Sequence, residues 1–160
     1  MDKQYDSVTA HVYETVCHAL DVDGIYYERH MDRDMVYAIT HGVHREYSLA
    51  LVVNERRHTL FVCLNVPLDI PRERASELLL LLAHLNLSLP RGSFACRLER
   101  EPLRVDFQLM NCYEHAMFSE ETVRNLVSFA VQAADVCFPK ILRFREGDAS
   151  LYTLLTEDIS

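Results

Sequence analysis

Glycine is scarce in this chain: the 160 residues include four, Gly24, Gly42, Gly92 and Gly147, too scattered to build a phosphate-cradling loop. A P-loop and a GxGxxG turn both need clustered glycines that let backbone amides approach a phosphate, so neither exists here. There is also no GxSxG elbow for a nucleophilic serine and no HExxH zinc pair. The five cysteines, Cys17, Cys63, Cys96, Cys112 and Cys137, include no CxxC. An odd number of dispersed thiols suits reduced, mostly buried cysteines in a cytoplasmic protein rather than a disulfide framework. Positive charge is in deficit: 16 Lys+Arg against 24 Asp+Glu give a net charge of -8 and a pI near 5.4. That balance disfavours nucleic acid and anionic membrane as partners. The longest pure leucine run, residues 78–82, is far short of the ~20 residues of a membrane span. Residues 1–3, Met-Asp-Lys, begin neither a basic nor an apolar leader.

What is present reads as a single α+β domain. Over residues 7–20, Val8, Val12, Tyr13, Val16, Cys17 and Leu20 recur at three- and four-residue spacing, the period of an amphipathic helix. Two short strands are expected around residues 25–27 and 35–39, divided by the turn Asp32-Arg33-Asp34. A hairpin follows, in which Tyr47, Leu49, Leu51 and Val53 alternate on one strand and Leu60, Val62, Leu64 and Val66 on the next. Both faces of this hairpin are fairly apolar, which predicts a central position with at least partial cover on each side.

Pro67 and Pro71 are expected to end the strand and launch a helix from about Pro71. Helical spacing puts Ala75, Leu78, Leu79, Leu82, Leu85 and Asn86 on one face, with Glu73, Glu77 and His84 opposite. Leu80 falls among the polar residues. It is either a lone exposed leucine or, with Leu81 on its flank and His84 beside it, part of an interface with a second subunit. Asn86, on the apolar face at the helix end, suits structural capping or a tie to the following loop, with ligand contact as the alternative.

Beyond Pro90 and Gly92 a second hairpin is expected, with Phe94, Cys96 and Leu98 on one face of its first strand and Leu103, Val105, Phe107 and Leu109 on one face of its second. Its other face, carrying Arg97, Glu99, Arg104, Asp106 and Gln108, should meet water. Ser119 caps a last helix whose first turn is acidic, and Pro139 should kink or end it near Phe138. Residues 1–146 thus form one domain in the order α-β-β-β-β-α-β-β-α, with an antiparallel sheet and flanking helices. Residues 147–160 form a tail whose Leu151, Leu154, Leu155 and Ile159 have helical spacing and could dock on the body or on a partner.

No catalytic, cofactor-binding or metal-ligating constellation emerges. His41 with His44 and His11 with His18 come nearest to a metal pair, and the first two should flank a strand turn in solvent. Cys112 is the thiol expected to be most accessible.

Three segments carry a family resemblance. VPLDIPRERASELLLLLAHLN after a strand hairpin, the turn RGSF before a strand pair, and SEETVRNLVSFAVQAADVCFPKI, with its alanine-aspartate pair followed by an aromatic-proline, together resemble the YbjN family of bacterial proteins from about residue 46 to 145. The resemblance implies a fold like that of type III secretion chaperones, which are small, acidic and commonly dimeric, with a similar LLxxLN helix. It also implies a regulator of sensory transduction without an established catalytic activity, so no site residue is carried over. The combined expectation is a non-enzymatic, chaperone-like or regulatory module of the bacterial cytoplasm that binds a protein or peptide and acts as a homodimer, with no cofactor. The alternative is a small-ligand sensor or small enzyme whose pocket is assembled from dispersed His, Tyr and Cys residues.

Overall fold

The computed structural model describes residues 7–113 and 118–158. Its helices and strands follow in the order α1 (Ser7–Val22), β1 (Tyr27–His30), β2 (Met35–His41), β3 (Glu46–Asn54), β4 (Thr59–Ile70), α2 (Ala75–Leu87), β5 (Ser93–Cys96), β6 (Leu103–Cys112), α3 (Glu120–Glu146) and α4 (Leu151–Thr156). The strands make one six-stranded antiparallel sheet in the order β1-β2-β3-β4-β6-β5. The chain is therefore the α+β protein expected, with a fourth helix at its end.

Alternation along the strands builds the core. Leu49 pairs with Leu64, Leu51 with Val62, and Val53 with Leu60, and all six are fully buried. Val36 and Ala38 extend this face across β2, and Leu103, Val105, Phe107 and Leu109 extend it across β6. Helices α1, α2 and α3 lie against it.

Cover is full on this face and only partial on the other. Met35, Ile39, Val52 and Phe61 point to the other side, where no helix covers them among the described residues, and are half-buried. Apolar neighbours across adjacent strands shield one another there, so apolarity on both faces did not require a second layer.

Pro67 does not end β4, which runs on to Ile70. The register against β6 shifts between Val66 and Asp69, and pairing with β3 stops at Asn65. Pro67 sits at that irregularity, on what has become an edge, where its missing N–H costs no ladder bond. Leu98, expected in the second hairpin, lies past the end of β5 and is exposed.

Pro139 likewise fails to end α3, which continues to Glu146. Phe138, Ile141 and Phe144 on either side of it are buried, and this packing offsets the lost backbone bond. The tail docks on the body: Leu154 is fully buried, Lys140 Nζ donates to the Glu157 carbonyl at 2.7 Å, and Arg143 pairs with the Glu157 carboxylate at 2.5 Å. Ile159 and residues 1–3 lie outside the described residues.

Candidate interaction surface

Helix α2 is entered through Pro71 and a single 3-10 turn, Arg72–Arg74. Arg74 fixes this start by pairing with Glu77 at 3.0 Å and lying 3.8 Å above the Phe144 ring of α3. Leu78, Leu81, Leu82 and Leu85, spaced i, i+3, i+4 and i+7, form the buried stripe. This overturns two expectations. Leu81 is fully buried in its own core and cannot serve as an interface residue, whereas Leu79, expected inside, is 41% exposed. The stripe is rotated relative to the expected one because leucine on every side of the helix leaves few polar residues to mark its phase.

The outward side is what a water-facing helix ordinarily avoids. Leu80 is 57% exposed and Leu87 86% exposed, with exposed Ala83 and half-buried His84 between them. Helical spacing places Leu80, Ala83, His84 and Leu87 along one ridge. Beside it, His84, Leu87 and Ser88 border a hollow of about 450 Å³ whose far side is formed by Leu155 and Thr156 of α4 and by Glu157 just past its end.

Asn86 ties α2 to the sheet rather than to its own carbonyls. Its amide donates to the Phe94 carbonyl at 3.0 Å, and the Phe94 N–H donates back to its Oδ1 at 2.7 Å. Ser88 instead caps the helix, its N–H donating to the carbonyls of Leu85 and Asn86.

One residue escaped sequence reasoning. Asp135 of α3 is buried and accepts hydrogen bonds from the Tyr47 hydroxyl at 2.6 Å, from the His44 N–H at 3.3 Å and from the Val43 N–H. A side chain on Gly42 would collide with its carboxylate, so glycine is what permits this approach. Burial alone would raise the Asp135 pKa, but the bonds from Tyr47, Val43 and His44 outweigh it and hold the carboxyl below its usual value. Burial first, and the Asp135 bond second, push the Tyr47 phenol upward. The signal available in the sequence was a lone acid on the apolar face of a helix, four residues before Pro139.

The remaining candidates separate in space. His41 and His44 flank the β2–β3 turn, exposed, with His41 3.5 Å from Glu46. His18 lies 2.9 Å from Glu120, and among the described residues no three His, Cys, Asp or Glu are grouped to hold a metal. Burial pushes the Cys17, Cys63 and Cys137 thiols up to about 11, away from the nucleophilic thiolate. Cys112 is exposed.

Residues 13–143 match the family model of YbjN, described as a putative bacterial sensory transduction regulator. The chain belongs to the YbjN family. No curated protein and no solved structure gives a significant match. No helix among the described residues is long and apolar enough to cross a membrane.

Proposed function

We propose that this protein is a non-enzymatic regulatory module of the bacterial cytoplasm that works by binding protein, in chaperone-like fashion, and that it does so as a homodimer joined through α2. The observation that carries the reading is the ridge of Leu80 and Leu87, with Leu79 beside it, on the side of α2 that its own core leaves uncovered. Three large apolar side chains on one short helix expose surface that water does not reward, and a second copy removes it from water symmetrically. The hollow between α2 and α4 offers a recess for an apolar side chain of the other copy. The description of the family as regulatory rather than catalytic supports the same reading.

Light scattering of the full chain at tens of micromolar tests it. A mass of two chains that falls to one in Leu80→Glu is the expected result; a strict monomer whose mass Leu80→Glu leaves unchanged overturns the dimer.

A further inference from the structure

The sheet face turned away from the helices carries a feature unrelated to α2. Register across four strands aligns Ile39, Ser48, Asn65 and Asp106 in one row. At this row Arg97 and Arg100, from the connection between β5 and β6, and Arg104 of β6 share a cavity of about 250 Å³ with Tyr37 and Ser48. Asn65 and Asp106 also line it and satisfy each other, the amide donating to the carboxylate at 2.9 Å.

The arginines are not so satisfied. Arg104 has a 3.5 Å approach to Asp69, and neither the Arg97 nor the Arg100 guanidinium has a carboxylate or hydrogen-bond partner among the described residues. Even with Asp69 set against Arg104, three guanidinium groups face two carboxylates, Asp69 and Asp106, and the balance at this cavity is positive in a chain whose net charge is -8. An acidic protein that gathers three cations around one recess, and pairs them poorly, has left them available to an anion.

We infer that this cavity binds the phosphoryl group of a small phosphate monoester. Guanidinium forks donate two parallel hydrogen bonds to an oxyanion, and three forks outnumber what the two oxygens of a single carboxylate accept. A monoester phosphoryl has three terminal oxygens and close to two charges, and the hydroxyls of Tyr37 and Ser48 supply further donors. The volume lies below the ~300 Å³ at which pockets for larger ligands begin, which fits a compact ester. Recognition by side-chain forks needs no glycine-rich backbone, so the missing P-loop does not oppose it. The site lies across the sheet from α2 and does not depend on the dimer.

Titration of the ¹⁵N-labelled full chain with inorganic phosphate and with glycerol 3-phosphate at constant ionic strength tests the inference, with succinate and sodium chloride in parallel. Saturable amide shifts centred on residues 97–104 are expected with both phosphates. The Arg97→Ala/Arg100→Ala double variant, with an unchanged melting temperature, should bind about tenfold more weakly or worse, as loss of charged hydrogen bonds implies. Succinate binding as tightly as the phosphates overturns the phosphoryl assignment. Shifts that merely follow ionic strength, or equal affinity in the double variant, overturn the site.

Discussion

Helices α2 and α3 rest on the same face of the sheet yet meet water differently. The outward positions of α3, among them Arg124, Asn125, Ser128, Gln132 and Arg145, are almost all polar, with Val136 as the large apolar exception. Those of α2 include Leu79, Leu80 and Leu87. The anchoring differs in the same sense. A buried carboxylate, Asp135, clasps α3 to the β2–β3 turn, while leucines and the Asn86 amide hold α2. One helix is finished as a surface; the other is apolar on both sides, as expected of an element that is covered twice.

The sharpest way to break this contrast is to exchange the two sides of α2. Leu81→Ala should cost about 2–5 kcal/mol in urea unfolding, because it opens a cavity in a full core, whereas Leu80→Ala should stay within about 0.5 kcal/mol in the monomer. Equal losses would mean that the assigned inner and outer sides are wrong.

Asp135→Asn should come next, at about 2–4 kcal/mol, since it replaces an acceptor of charge-assisted bonds by an amide that cannot receive all three donors. The sign of its pH dependence follows from the lowered carboxyl. Stability from Asp135 is fully present above the ordinary carboxyl value of 3.8 and is lost as pH falls through the lower folded value. Denaturation midpoints of the wild type and Asp135→Asn should therefore converge in acid; a constant difference down to pH 2 would contradict the ionised clasp.

Asn86→Leu is expected to cost about 1–3 kcal/mol, because the N–H and carbonyl of Phe94 both lose their partner. A neutral or stabilising outcome in thermal melts would reduce the amide to a surface residue. The smallest effect on folding belongs to Leu80→Glu, within about 0.5 kcal/mol for an exposed position, with its consequence confined to assembly.

Legibility in the sequence follows the physics of each element. Strict two-residue alternation made β3 and β4 plain, but not their register, which the turn sets and which pairs Leu49 with Leu64. Phase was hidden in α2, where five successive leucines satisfy any face, so Leu79 and Leu81 were exchanged. The Asp135 clasp was invisible because 92 residues separate it from Val43 and local spacing carries no such contact. The arginine cavity was half legible: alternation put Arg97, Arg104 and Asp106 in water, but only the sheet order brings them to Ser48 and Tyr37. Pro67 misled because a proline that stops a central strand is tolerated where the partner strand has already ended.

The most direct test of the central claim is the solution mass of the wild type beside Leu80→Glu, measured by light scattering at tens of micromolar with melting temperatures recorded on the same samples. A dimer is expected for the wild type and a folded monomer for the variant. A wild-type monomer, or a dimer that Leu80→Glu leaves intact, would contradict it.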